Sequence, residues 1–358
     1  CDGLMKIAVI GSGFYGSSVA LELSKDYPDI KIDLYEKCND IFKGAASNNQ
    51  HRIHKGFHYP RSNETIDQIL NNYQSFKDKY HDLISPVKDN YYLIEKNSKV
   101  NLEEYVNKYK SFSIPFREID NFEVEPFVNT ELIEGGISNT EEVINLKKAY
   151  EYFKERITNS KNISLKLKRN ITEIDGNKID DEKYDYIINC TYNNPNLGIV
   201  SKDKILNLKY EICIIPVVEN FFKEDICITI MDGNYVSAYQ NGLGDITLSS
   251  VSYTPYFKTA YHKEFITKLK RDLIDKDLML KYDIHKLLTH CSEYFKGVNS
   301  STPLKELYLS PKVKLKDDTN DLRTTSIVRD GCVISVLCGK ISSIVSTYEL
   351  IKKEIDGN

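Results

Sequence analysis

The chain has 358 residues, 41% hydrophobic and 28% charged, with 48 basic and 52 acidic side chains and a net charge of −4. That composition suits a globular protein with a sizeable core, and the length allows two domains or one domain with a large insert. There is no basic excess of the kind a nucleic-acid binder carries, and no apolar run approaches the roughly 20 residues of a membrane span.

Residues 6–10 form an apolar run with the length of a buried strand. Gly11, Gly13 and Gly16 follow, and then Val19, Ala20, Leu21 and Leu23 at helical spacing up to Pro28. Residues 31–35 are a second strand ending at Glu36, which completes a βαβ unit. A loop rich in Gly, Ala, Ser and Asn covers 40–62, after which Ile66, Ile69, Leu70, Tyr73, Phe76 and Tyr80 mark one face of a helix. Residues 86–140 are expected to mix short strands, such as 90–95, with turns, such as Gly135-Gly136.

Val143, Leu146, Tyr150, Phe153 and Ile157 predict another helix, and 163–167 and 184–190 predict strands. The stretch 209–256 is all strand, at 211–218, 226–231, 235–240 and 246–253. It is broken by Asp-Gly-Asn and Asn-Gly turns and so points to an antiparallel sheet. Helical spacing returns over 262–294. The chain closes with a strand at 331–337, a Gly339-Lys340 turn and a helix over 341–355.

Eight cysteines include no CxxC pair, so neither a disulfide framework nor a zinc site is expected. The N-terminal apolar stretch has no basic n-region before it and runs into a glycine-rich loop, so no signal peptide is read and the expected compartment is the cytoplasm. Met5 reads as the native start, with residues 1–4 a leader or a remnant of expression. The 25 tyrosines and the abundance of Lys, Asn and Ile fit codon bias better than a shared function.

Gly11-Ser12-Gly13-Phe14-Tyr15-Gly16 lies between strand and helix, where a dinucleotide fingerprint belongs. Gly11 permits the tight turn, Gly13 lets the backbone approach a pyrophosphate, and Gly16 lets helix and strand pack closely. The phosphates would face the helix N-terminus, including the Phe14 and Tyr15 positions. Glu36, 20 residues after Gly16 and followed by Lys37, can accept hydrogen bonds from both ribose hydroxyls, and its charge disfavours NADP. The fingerprint alone leaves FAD and NAD open.

Two further segments bear on that choice: Gly44-Ala45-Ala46-Ser47-Asn48-Asn49-Gln50-His51-Arg52-Ile53-His54-Lys55-Gly56-Phe57-His58-Tyr59, and Cys338-Gly339-Lys340-Ile341-Ser342-Ser343. The first resembles the G-[AT]-S-S-x-x-x-x-x-I-H-x-G-x-x-Y segment of the FAD-dependent oxidoreductases of the D-amino acid oxidase type. The second resembles that family's C-terminal G-G-K-x-[ST]-[ST] turn, and 185–191, ending at Thr191, is similar to its strand over the adenosine half. The sequence departs from the family at Cys338 and at Tyr192, where Gly is usual.

The resemblance implies FAD held by Gly11, Gly13, Phe14, Tyr15, Gly16, Glu36, Lys37, Ala46, Ser47, His51, Arg52, Ile53, Thr191, Gly339, Lys340, Ile341 and Ser342. It implies an α/β (mixed α+β) fold, in which a glutathione-reductase-like Rossmann FAD-binding domain carries an inserted antiparallel-sheet substrate domain. The expected division is 5–85, 141–205 and 306–358 for the FAD-binding domain and 86–140 and 206–305 for the substrate domain. The implied reaction moves a hydride to flavin N5 from a C–H beside an amine or hydroxyl of a small, polar, anionic substrate: an amino acid, a 2-hydroxy acid, or a polyol or sugar derivative. Oxygen or another acceptor would then take the electrons. Alternatives are a non-redox flavin sugar mutase like UDP-galactopyranose mutase, and a protein that binds FAD structurally.

His54, His58, Tyr59, Arg61, Arg323 and Tyr253 are the candidate catalytic residues. His51, His54 and His58 also invite a metal, but no acidic or cysteine partner accompanies them in the sequence, so none is expected. Arg52, Arg61 and Arg323 suit a carboxylate or phosphate. Tyr239, Ser250, Ser252 and Tyr253 lie on strands expected to floor the pocket, with packing as the bland reading for each. Oligomeric state is not legible.

Overall fold

The computed structural model describes residues 4–316 and 325–357. Two sheets organise the described residues. The first has six strands in the order Ser326–Asp330, Val333–Leu337, Tyr186–Asn189, β1 (Lys6–Ile10), β2 (Lys31–Tyr35) and Ile163–Lys166. All neighbours are parallel except the first pair. Helix α1 (Phe14–Asp26), with the helices Leu146–Asn159 and Ile344–Asp356, covers one face through Val19, Leu23, Phe153, Ile157 and Ile351. A parallel sheet buried in this way needs near-continuous apolar strands, which KIAVI and YIIN supply.

The second sheet has nine strands. Eight run in the order Pro255–Thr259, Leu208–Glu219, Asp245–Ser250, Val236–Gln240, Ile226–Met231, Asp89–Glu95, Ile133–Asn139 and Phe116–Ile119, and Glu306–Leu315 also pairs with Leu208–Glu219. It is not wholly antiparallel as expected: Ile226–Met231 runs parallel to Asp89–Glu95, because these strands come from distant parts of the chain and no hairpin joins them. Glu306–Leu315, expected in the FAD-binding domain, instead belongs to this sheet.

Alternation along these strands separates two faces. Ile228, Ile230, Ala238, Ile246 and Leu248 point into a core shared with Phe265, Leu287 and Cys291 of the helices His262–Ile274 and Lys281–Tyr294. The intervening Thr229, Ser237, Tyr239 and Thr247 face the other way, toward residues 50–52.

Between the large sheets lies a small antiparallel one, ordered Arg52–Ile53, Glu142–Ile144 and Ile84–Ser85. Val143, expected in a helix, is therefore in a strand. The helix begins only at Leu146, because the Asn145 side chain accepts from the Lys148 amide at 3.0 Å and caps it. Gly135-Gly136 is strand interior rather than a turn: a Cβ on Gly136 would stand 2.5 Å from the Tyr92 carbonyl oxygen. Leu102–Ser111, not anticipated from sequence, is a helix with an Asn101/Glu104 capping box. No described helix is long and apolar enough to cross a membrane.

Candidate active site

The fingerprint has the backbone its glycines require. Gly11 sits at φ +96° with its amide on the Tyr35 carbonyl at 2.8 Å, and a Cβ there would lie 2.6 Å from the Cys190 carbonyl oxygen. A Cβ on Gly16 would lie 1.7 Å from the Gly11 oxygen, so α1 and the turn touch backbone to backbone. Gly13 differs: it caps α1, and nothing stands within 4 Å of where its Cβ would be. That open cradle before the free N–H groups of a helix is the shape a pyrophosphate needs.

Glu36 is buried at the end of β2. Its Oε2 accepts from the Ser12 amide at 3.0 Å and the Ser12 hydroxyl at 2.8 Å, and Oε1 accepts from the Cys38 amide at 2.9 Å. The carboxylate is thus fixed beside the glycine turn, where a ribose can reach it. Lys37 is exposed next to it. Phe14 contributes backbone only, since its ring packs on Phe42 and Phe153 at 4.5 and 6.2 Å. Thr191 donates to Asn189 Oδ1 at 2.8 Å. Tyr192 adopts φ +60°, the left-handed backbone for which Gly is the easier residue.

Tyr15 reaches across to the C-terminal turn. Its hydroxyl accepts from the Gly339 amide at 3.1 Å, donates to the Lys340 carbonyl at 2.5 Å and lies 3.0 Å from Thr325 Oγ1. Ile341, Ser342 and Ser343 then form a 3₁₀ turn leading into the last helix, with Ser342 buried.

The loop 44–61 is tied down internally. Ser47 donates to the Phe42 carbonyl. The buried His51, at φ +53°, places Nε2 2.7 Å from the Ala46 carbonyl oxygen, and burial pushes its pKa down to about 4. Ile53 is buried in the small sheet. Arg52 donates to the Tyr92 hydroxyl at 2.5 Å and Thr229 Oγ1 at 3.0 Å, with its guanidinium 4.0 Å from the Tyr239 ring centre. Burial works against its charge, but Tyr239, Tyr92 and Glu141 outweigh that and raise its pKa. Its Nε is buried with no partner among the described residues, a donor the fold leaves for a bound group.

His54, His58 and Tyr59 form an aromatic cluster, with ring centres 5.4 Å apart for the histidines and 6.1 and 5.3 Å from each to Tyr59. His58 Nε2 meets the Tyr235 hydroxyl at 2.5 Å. The Lys340 ammonium donates to the Tyr59 hydroxyl and lies 4.5 Å from its ring centre, which joins the cluster to the C-terminal turn. Arg61 donates to the buried Asp232 at 2.8 Å.

Not every candidate converges. The Tyr253 ring lies 5.6 Å from His290 on the helix side of the large sheet, and Ser250 bonds His290 at 2.8 Å, both away from the cluster. Tyr239 packs under Arg52 and donates to Asn90 at 2.9 Å. Arg323 lies outside the described residues. The sequence reading missed Glu141, a wholly buried acid whose Oε1 is 4.0 Å from His54 Nδ1. No motif surrounds it, and only the fold brings it to the loop.

These residues fit a flavin dinucleotide: a cradle at Gly13, an acid for the ribose, and a second helix N-terminus tied to the first by Tyr15. The family model described as FAD dependent oxidoreductase matches residues 6–303. The chain belongs to that family. It is 27% identical to the FAD-dependent monooxygenase FPY4 of Fusarium mangiferae over 99% of this chain and 92% of that one. Its fold matches the L-α-glycerophosphate oxidase of Mycoplasma pneumoniae, solved with FAD bound, at a TM-score of 0.71 and 15% identity, over 98% of this chain and 94% of that one. The glycerol-3-phosphate dehydrogenase of Bacillus halodurans, complexed with FAD, matches at 0.63 and 15% identity, over 99% of this chain but only 64% of that one. At such identities the structures speak for the fold alone. As a member of this family the protein is an FAD-dependent oxidoreductase.

Proposed function

We propose that the enzyme oxidises a small polar molecule at a C–H beside an amine or hydroxyl. FAD, when bound, supplies the hydride acceptor for such chemistry. Gly13, the α1 amides and Glu36 would hold its dinucleotide half, and Gly339 to Ser342 its ring. The observation that carries the reading is the contact between Lys340 and Tyr59, which sets the histidine cluster against the turn that would hold the ring. His54 then takes the proton of the substrate's O–H or N–H, and His58 and Tyr59 line the approach. Lys340, with Arg61 further out, supports an anionic group on the substrate. The naming of FPY4 as a monooxygenase supports oxygen as the electron acceptor.

The test is anaerobic mixing of the purified flavoprotein with amino acids, 2-hydroxy acids and polyol phosphates, followed by the flavin's visible bands. Bleaching by one of them, and recovery on admitting air, is the expected result. A flavin that dithionite reduces but no member of such a panel does would favour a mutase or a structural role for FAD.

A further inference from the structure

Arg52, Tyr92 and Glu141 form a buried series where the small sheet meets the large one. Arg52 donates to the Tyr92 hydroxyl at 2.5 Å, and that hydroxyl donates to Glu141 Oε2 at 2.6 Å. The other carboxylate oxygen, Oε1, accepts the Lys55 amide at 2.8 Å. His54 stands over the same oxygen, with its buried Nδ1 at 4.0 Å. One carboxylate therefore pins the backbone just after His54 and faces one edge of its ring.

We propose that Glu141 is the positioning residue of His54, turning Nδ1 toward the carboxylate so that Nε2, on the opposite edge, accepts the proton the substrate releases. This rests on the redox reading of the site given above. The substrate's O–H or N–H proton goes to Nε2, while FAD, when bound, would supply the acceptor for the hydride of the adjacent C–H, which leaves a carbonyl or an imine. The two nitrogens of an imidazole point in opposite directions, and the hydrogen bond made by one decides which protonation state the other offers. Hydrogen bonds of this kind are often long before substrate binds and tighten in the complex, so 4.0 Å is a resting distance compatible with the role.

Charge favours the same assignment. Around His54 stand Lys55, whose Nζ is tied to Thr140, Arg52 and Tyr92 behind the carboxylate, His58 and Tyr59 from its own loop, and Lys340 beyond Tyr59. The cations among them oppose a proton on His54, and Glu141 offsets them, with Glu142 acting on Lys55 as well. Burial raises the Glu141 carboxyl pKa, while Arg52, the Tyr92 hydroxyl and the Lys55 amide act to keep it ionised.

The test uses the FAD-loaded protein labelled with ¹⁵N-histidine, with His54 assigned by the signal missing from His54→Gln. In the wild type, the neutral His54 ring is expected to carry its proton on Nδ1. In Glu141→Gln, which keeps the shape and an acceptor but removes the charge, the His54 pKa is expected to fall by about one unit, a tenfold loss of proton affinity. The flavin bands should stay unchanged. With a substrate that reduces the flavin, the acid limb of the pH profile should move down by the same amount, which loss of packing alone would not cause. A neutral ring protonated on Nε2 in the wild type overturns the proposal, as does an unaltered His54 pKa in the variant. The tautomer requires no variant, so it decides even if Glu141→Gln fails to fold. Neither NMR readout needs a substrate, so a panel that leaves the flavin oxidised would defeat the redox reading while the NMR still decides whether Glu141 holds the ring.

Discussion

The Tyr15 hydroxyl and the Gly339 amide, 324 residues apart, are hydrogen-bonded at 3.1 Å, and the same hydroxyl donates to the neighbouring Lys340 carbonyl. One phenol thus locks the first turn of α1 to the C-terminal turn, the two elements proposed to flank the cofactor. Burial raises its pKa, so it stays a neutral hydroxyl that can both donate and accept. Tyr15→Phe keeps the ring and removes both bonds. Leaving the half-buried Gly339 amide and Lys340 carbonyl without this partner should cost about 1–2 kcal/mol. Thermal melts of the apo and FAD-loaded variant should show the loss, and an FAD titration should show affinity weakened by about tenfold or more, since 1.4 kcal/mol is a factor of ten.

Gly13 and Gly16 should separate cofactor binding from folding. Nothing lies within 4 Å of a Cβ on Gly13, and its φ of −73° suits any residue, so Gly13→Ala should cost the apoprotein about 1 kcal/mol at most, the loss of a glycine N-cap. The added methyl would fill the space proposed for the pyrophosphate, so FAD should bind weakly or not at all. Gly16→Ala puts a methyl 1.7 Å from the Gly11 oxygen. It should destabilise the apoprotein by about 3 kcal/mol, the upper end of ordinary overpacking costs. Equal effects of the two substitutions on the apo melt would contradict this division.

His51 should make the fold acid-sensitive. Burial holds it neutral with a pKa of about 4, against 6.5 in an unfolded chain. The unfolded state therefore binds the proton first as pH falls. The stability that His51 contributes is complete above 6.5 and is lost as pH drops through 6.5 toward 4, up to about 3 kcal/mol at ~1.4 kcal/mol per pKa unit. His51→Asn tolerates the positive φ but cannot titrate, so its urea midpoint should change less between pH 7 and pH 4.5 than the wild-type midpoint. Parallel curves for the two proteins would refute the assignment.

How much of this was legible in the sequence depended on how local each signal was. The βαβ unit, the fingerprint and the terminal turn show because strand, glycines and helix are contiguous, and in the structure Gly11 and Gly16 touch at one turn with Glu36 bonded to Ser12 between them. Asn101 to Tyr109 also carries a local signal, an Asn-x-x-Glu box at 101–104 that opens the apolar spacing Leu102, Tyr105, Val106 and Tyr109. Glu141 could not be found this way. Its partners are His54, Lys55, Tyr92 and Arg52, all far off in the chain, and burying a charge leaves no periodicity. The strand Glu306–Leu315 left no sign for the same reason, since it pairs with the distant Leu208–Glu219.

Arg52 should prove structural. Its side chain is 92% shielded, and its guanidinium divides its bonds between Tyr92 and Thr229 on the large sheet, beside Glu141. Arg52→Met leaves that carboxylate buried without its cation, and breaking a buried pair from one side costs about 3–5 kcal/mol. The double variant Arg52→Met/Glu141→Leu should recover part of the loss in urea denaturation, because the uncompensated charge is gone. A double variant no more stable than Arg52→Met would show that the pair's charge is not what the single change exposes.

Cys338 bears on how the flavin is held. It occupies the place where the resembling family has Gly, directly before the Gly339 turn, and a thiolate there would be a candidate for a covalent link. The side chain is buried in the core, with Sγ directed at the Val336 carbonyl at 3.9 Å, and burial pushes its pKa up to about 12. At neutral pH only about one thiol in 10⁵ would be ionised at such a pKa, and the thiolate is the reactive form. The flavin should therefore be non-covalent. Acid precipitation of the yellow protein should release all colour into the supernatant, and Cys338→Ala should bind FAD with wild-type stoichiometry. Colour that stays with the precipitate and is lost in Cys338→Ala would mean that flavin binding brings this thiol out of its buried, neutral state.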